Sequence, residues 1–441
     1  MKRIMPFILA IGLFMLTSCS PALTQRVAKG ESFELLVATD LHYLARTLHD
    51  DGEAFTKMLA AGDGRLLHYI DEITDAFVRD VILRKPEVLL ISGDLTFNGE
   101  KASHQALAKK FEEIETEAGT RVYVVPGNHD IVNPRARSFR GDEVYETSSV
   151  KPREFARIYQ DFGYSEATSR DKKTLSYLAA PSEDVWLLML DTTQYVEHKG
   201  LIPTTGGKVE ADTLDWILKC VSEAEEEGVQ LVTVMHHNLY NHSKVLYRGY
   251  TLDNAAELRA VLAELDLNLV LSGHVHIQDI KTKDESGTLL HDIATSALSS
   301  YPVQYGVLAY KSSEGFLYST DRVDVSGWAR ENAPANVDLV DFAKYAQAYF
   351  ASHSYDLAYS GLADLEFYAE TELVHMAETM SLLNVHYFGG TAAQVLAEVE
   401  AMPGYRLWQD EDLGFLHEYV WSMMQDVVTD HNFVRVPLQQ R

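Results

Sequence analysis

Val88-Leu89-Leu90-Ile91-Ser92-Gly93-Asp94 is an apolar run too short for a helix, closed by a glycine and a carboxylate. Such a run reads as a buried strand, and Gly93 permits an unusual backbone angle and a close approach where the strand ends. Upstream, Leu66, Ile70, Ile73, Phe77 and Val81 recur at helical spacing, and residues 33–39 form another short strand run that stops at Asp40. Strand, helix and strand in this order predict a βαβ unit. Downstream, residues 102–117 repeat the helical spacing through Leu107, Phe111 and Ile114, and residues 122–125 lead as a strand into Pro126 and Gly127-Asn128-His129-Asp130. The rhythm predicts an α/β fold, in which side chains at the carboxyl ends of strands gather into one site.

The rhythm continues. Residues 186–190 end at Asp191, residues 230–235 end at His236-His237, and residues 268–271 precede Gly273-His274-Val275-His276. Between 131 and about 175 the pattern lapses, which predicts a functional insertion hung over the site, because long irregular segments are uncommon elsewhere. After residue 276, runs at 277–283, 290–295, 307–310 and 316–320 lack intervening helices and suggest antiparallel pairing in a second sheet. From about residue 337 the character turns helical, with stripes such as Leu373, Met376, Met380 and Leu383. Residues 335–441 are therefore expected to form a separate, all-helical domain. Its histidines, His353, His375, His386, His417 and His431, are scattered and read as surface or satisfied core.

Asp40, His42, Asp94, Asn128, His236, His274 and His276 mix hard oxygen donors with imidazoles, a set suited to Mn, Fe, Zn or Co rather than Mg or Ca. In Asp40-Leu41-His42 and His274-Val275-His276, the alternation of an extended segment would turn both outer side chains to one side. Asp94 is placed to bridge two ions. His236 is preferred over its neighbour His237 because it directly follows the strand.

The order D-x-H, G-D, G-N-H-[DE], H, G-H-x-H resembles the calcineurin-like metallophosphoesterases, and all five blocks are present. The resemblance implies a four-layer αββα sandwich of two mixed sheets over residues 32–326, plus the smaller helical domain. It implies two divalent ions, Mn or Fe with Zn as an alternative. One ion would be held by Asp40, His42 and His276, the other by Asn128, His236 and His274, with Asp94 between and His237 in support. A metal-held hydroxide would then attack phosphorus. His129 is the candidate proton donor to the leaving group, with Asp130 fixing its tautomer and holding it protonated.

The wording around Asp40-Leu41-His42-Tyr43-Leu44, Gly93 to Glu100 and Gly273 to Asp279 is similar to bacterial class III cyclic nucleotide phosphodiesterases, the nearest being lipoproteins with a helical C-terminal domain. This implies a small phosphodiester substrate, a 3′,5′- or 2′,3′-cyclic nucleotide. Two alternatives stand beside it: an enzyme of envelope diesters such as glycerophosphodiesters or teichoic-acid fragments, and a non-catalytic lipoprotein that binds phosphorylated ligands.

Met1-Lys2-Arg3 and the apolar run ending Leu16-Thr17-Ser18-Cys19 have the form of an export signal and resemble a bacterial lipobox. Residues 1–18 would be removed, Cys19 would carry lipid, and residues 19–31 would form a tether, placing the protein on the outer side of the cytoplasmic membrane, with that lipid its only membrane contact. The other cysteine, Cys220, sits at helical spacing among apolar residues and is expected in the core. A net charge of −27 with no dense basic run argues against nucleic-acid polymers as partners.

Overall fold

The computed structural model describes residues 26–439 apart from Lys199, Leu201, Glu366, residues 410–413, Val427 and Thr429. The expected signal segment and Cys19 lie outside the described residues.

Two sheets make the body. The first runs, in spatial order, Phe433–Val436, Gly315–Arg322, Gln304–Lys311, Phe33–Ala38, Val88–Ile91, Arg121–Val124. The second runs Asp279–Glu285, Thr288–Ala294, Leu269–Ser272, Gln230–Met235, Val185–Leu190, Tyr177–Ala179, Ser169–Arg170. Phe33–Ala38, Val88–Ile91 and Arg121–Val124 are parallel neighbours, with helix Ile70–Arg84 crossing between the first two, so the βαβ unit forms as expected. Val185–Leu190, Gln230–Met235 and Leu269–Ser272 are likewise parallel.

The layering follows from strand alternation. Val185, Leu187 and Met189 face the cluster shared with the first sheet, whereas Trp186, Leu188 and Leu190 face Trp216 and Ile217 of helix Ala211–Glu227 and Leu258 of helix Ala255–Glu264. Both faces are dry, which is why these strands read as unbroken apolar runs. Cys220 is buried on that helix, as expected. The result is the mixed α/β sandwich of two large sheets with a helical region after it.

Four expectations are corrected. The runs after residue 276 do not share one sheet: Asp279–Glu285 and Thr288–Ala294 extend the second, while Gln304–Lys311 returns antiparallel to Phe33–Ala38 in the first. Hairpin patterning does not specify which sheet edge is extended. The segment 131–175 is not irregular throughout: it holds a hairpin Arg137–Arg140/Glu143–Glu146 packed against helix Glu53–Ala60, beside the short helix Pro152–Ile158 that its apolar spacing suggested. The expected tether is docked from Val27 onward: Val27 N–H donates to the Pro181 carbonyl at 3.0 Å and Gly30 N–H to Asp184 Oδ2 at 2.6 Å. The region 335–441 is not helical throughout, because Phe433–Val436 adds to the first sheet and Gln439 pairs with the backbone of Leu231.

Helices Phe342–Ala363 and Glu370–Phe388 pack together over a core that includes Leu362, Met376, Met380 and Leu383, and the same cluster buries Val275 and Ile277 of the last sequence motif. A buried ionic chain ties this region to the second sheet. His431 reaches Asp279 at 2.9 Å and Asp426 at 3.1 Å, and His242 reaches Asp279 at 2.6 Å and Asp292 at 2.9 Å. Burial opposes charge on both histidines, but the carboxylates prevail, pushing His431 up to about 9 and His242 up to about 8. A raised histidine contributes stability that is complete below its unfolded value near 6.5 and is lost as pH rises through the folded value. The melting temperature is therefore expected to fall between about pH 6.5 and 9, and His431→Ala to cost about 3 kcal/mol at pH 6 with a flatter pH profile. Calorimetric melts across that range check both.

Candidate metal centre

The polar residues singled out in the sequence converge where the two sets of parallel strands end. Asp40 and His42 follow Phe33–Ala38, Asp94 follows Val88–Ile91, Asn128 follows Arg121–Val124, His236 follows Gln230–Met235, and His274 and His276 follow Leu269–Ser272. Backbone bonds lock these ends together: Asp40 N–H donates to Gly93 O at 3.1 Å, His42 N–H to Asp94 O at 3.0 Å, and Gly273 N–H to His236 O at 3.0 Å. Across the two sheets, His274 N–H donates to Asp40 Oδ2 at 2.8 Å.

The local backbone is not extended as alternation suggested. Asp40, His42, Asp94, His274 and His276 have φ of 51°, 43°, 48°, 68° and 63°, all left-handed. Each such non-glycine residue costs roughly 1–2 kcal/mol, and strain of this kind persists only where the surroundings over-determine it. Two glycines make the crowding possible: a Cβ on Gly93 would lie 2.5 Å from His236 Nδ1, and one on Gly273 would lie 2.0 Å from Thr39 Oγ1.

Asp94 Oδ2 faces His236 Nε2 at 3.4 Å, His42 Nε2 at 3.7 Å and His129 Nε2 at 4.0 Å. Asp40 Oδ1 faces His276 Nε2 at 3.3 Å, and His42 and His276 bring their Nε2 atoms to 3.1 Å of one another. Asn128 Oδ1 lies 3.1 Å from His236 Nε2. Three overlapping groups can each hold a cation: Asp40, His42 and His276; Asp94, His236 and His274; and His42, Asp94 and His129.

The donor atoms fit divalent ions. Asp40 Oδ1 is buried without a hydrogen-bond partner among the described residues, a costly state for a carboxylate oxygen unless a cation sits against it. Carbonyls set the tautomers, since they can only accept. Ser92 O takes the Nδ1 proton of His236 at 3.0 Å, leaving Nε2 free to ligate, and Gly249 O takes the Nε2 proton of His274 at 2.7 Å, leaving Nδ1. Outer partners of this kind orient metal-binding histidines. Burial would raise the proton affinity of Asp94, but His236, His129 and His42 outweigh it and hold the carboxyl well below its usual range. Burial drives His42 and His274 well below theirs.

His237 is not turned to the cluster. Its Nδ1 meets Thr192 Oγ1 at 2.7 Å and its Nε2 meets Thr205 O at 2.9 Å, so it anchors the loops beside the site. Asp130 requires a correction. It does not touch the His129 ring; its carboxylate accepts from the N–H groups of Leu95, Thr96 and Gly127 at 3.1, 2.9 and 2.8 Å and so binds the Asp94 loop to the Asn128 loop. The His129 tautomer is set instead by Phe97 O at 2.7 Å and Asn98 Oδ1 at 3.1 Å, both at Nδ1, which turns Nε2 toward Asp94. Burial, with Arg65 and His276, lowers the proton affinity of His129 against the pull of Asp94.

Sequence reasoning missed Asn98, Tyr250 and Arg65. Tyr250 lies against the His274 ring at 4.9 Å between centroids. Arg65 comes from a turn between helices, where no periodicity or motif marks it.

The model of the calcineurin-like phosphoesterase family matches residues 33–278, more than half of the chain. The chain belongs to the calcineurin-like phosphoesterases, and the buried cluster marks it as a metal-dependent phosphoesterase. A second model, the C-terminal domain of cyclic nucleotide phosphodiesterase, matches residues 324–430. No curated protein matches the chain. Among solved structures, a dimetal phosphatase from Danio rerio is 12% identical with a TM-score of 0.44, the match covering 66% of this chain and 95% of that one. A purple acid phosphatase from yellow lupin seeds is 15% identical with a TM-score of 0.43, covering 67% of this chain and 52% of that one.

Asp94→Ala is expected to abolish turnover and remove at least one metal per chain, since it deletes the carboxylate that faces both histidine groups. Elemental analysis of the purified variant checks this, and two tightly held ions would refute it.

Proposed function

We propose that the chain is a phosphodiesterase of cyclic nucleotides that uses two divalent ions, Mn or Fe. The match of the helical region to the C-terminal domain of cyclic nucleotide phosphodiesterase carries this reading. A cavity of about 410 Å³ supports it, lined by Lys244, Tyr247, Arg248 and Tyr250 of one loop and by Phe415 and Glu418 of helix Phe415–Met424. Its wall Tyr250 lies against the His274 ring at 4.9 Å between centroids, so an aromatic wall of the kind that stacks on a planar base adjoins the cluster.

Asp40, His42 and His276 would hold one ion, and Asn128, His236 and His274 the other, with Asp94 between them. When bound, such ions neutralise phosphoryl oxygens and lower the pKa of water. The protein's own task is to place the diester and to protonate the leaving alkoxide. His129 is built for the second step: Nδ1 is tied to Phe97 O, Nε2 faces the site, and a quarter of its side chain is exposed while Asp94 is closed off.

A panel of 3′,5′- and 2′,3′-cyclic nucleotides, glycerophosphodiesters and a chromogenic diester, run on the metal-reconstituted chain, tests the substrate class. The highest kcat/KM is expected for a cyclic nucleotide; a glycerophosphodiester at the top would overturn the reading. His129→Ala should keep its metals and slow cleavage of alkoxide leaving groups by about 10² to 10⁴, with a smaller loss for p-nitrophenolate. Equal losses would assign His129 another role.

We also propose that the protein is exported and lipid-anchored through Cys19. Among the described residues no helix is long and apolar enough to cross a membrane. Labelled fatty acid should enter the wild type and the Cys220→Ser variant but not Cys19→Ser; label on the last would refute the anchor.

A further inference from the structure

Arg65 carries a buried donor that has no hydrogen-bond partner among the described residues. Its side chain is only 14% exposed. Nε donates to Asp63 Oδ1 at 2.7 Å, and the guanidinium carbon lies 5.3 Å from the centroid of the Phe97 ring. Nη1, however, is buried and has no hydrogen-bond partner among the described residues. Buried donors in folded proteins are satisfied almost without exception, and an unsatisfied one on a permanent cation needs an explanation.

The turn that bears Arg65 is coupled on one side to His129 and on the other to the metal ligand Asp40. Phe97, beneath the guanidinium, is the residue whose carbonyl holds the Nδ1 proton of His129. On the other side, Leu66 N–H donates to Ser299 O at 2.7 Å, and Ser299 Oγ–H donates to Asp40 O at 2.7 Å.

We propose that Arg65 Nη1 binds a non-bridging oxygen of the substrate's phosphoryl group, with Asp63 holding the guanidinium in place. An arginine whose Nε arm is fixed by a carboxylate presents its remaining donors in a rigid plane, the geometry that suits phosphate. The helical region fixes the turn. A Cβ on Gly64, at φ +84°, would lie 3.1 Å from His353 and 3.3 Å from Phe350, both on helix Phe342–Ala363. His68 Nε2 and the Tyr345 hydroxyl meet at 2.8 Å on the same helix. The helical region thereby acts as a splint for a substrate-binding arginine.

The inference rests on the phosphodiesterase reading and can fail separately from it. In the metal-loaded full chain, Arg65→Met should keep wild-type metal content, raise KM for the best cyclic nucleotide at least tenfold, and weaken inorganic phosphate binding by a similar factor in calorimetry. Arg65→Lys, which keeps the charge without the fork, should fall between the two. If cyclic nucleotides are not cleaved but the chromogenic diester is, the substrate reading fails, and the same variants compared on that diester and on phosphate still decide the role of Arg65. Unchanged phosphate affinity and KM in a folded, metal-loaded Arg65→Met would overturn the proposal. Loss of metal from both variants would also overturn it, by making Arg65 a structural prop.

Discussion

Asp94 is a carboxylate with almost no exposed surface, and the strand ends around it are arranged to make that burial tolerable. An isolated charge in such a place would be prohibitive. Here Oδ1 accepts the His129 N–H at 2.8 Å while Oδ2 faces the imidazoles of His236 and His42. Those imidazoles come from both sheets, so one buried anion couples the two halves of the sandwich.

The same convergence explains the strained backbone. Five of the seven metal-binding candidates adopt left-handed angles, a cost concentrated in the few residues that reverse direction after a strand. Rigid parallel strands, closed on both faces by apolar packing, are what can sustain it. Asp130 contributes by gathering three backbone N–H groups from two loops, a structural duty that leaves the His129 ring to Phe97 and Asn98. The helical region belongs to the same mechanical unit. It buries Val275 and Ile277 on either side of His276, joins the second sheet through His431, and seats the Gly64 turn.

The strand-helix rhythm and the ligand set were legible in the sequence because both are local. A run such as residues 88–91 is buried wherever it folds, and a histidine or carboxylate at its end has few places to go. Order along the chain added to this, since Asp40, Asp94, Asn128, His236 and His274 each close a predicted strand run or its turn. Composition likewise determined the net negative charge, and the local spacing of apolar stripes the helical character after residue 337.

Tertiary structure decided everything that depends on which segments meet. Nothing local assigns the hairpin to the second sheet and the strand Gln304–Lys311 to the first, because the strand each one joins lies far away in the chain. The pattern at 433–436 could not announce pairing with Gly315–Arg322, more than a hundred residues away. Asp130 stands next to His129 in the chain, yet the turn sends their side chains apart. Arg65 stands far from every motif, and only the packing of the 62–66 turn on helix Phe342–Ala363 brings it to the site. Residue identity determined the chemistry available; backbone reversal and long-range packing decided which atoms face one another, because those depend on contacts that no window of sequence contains.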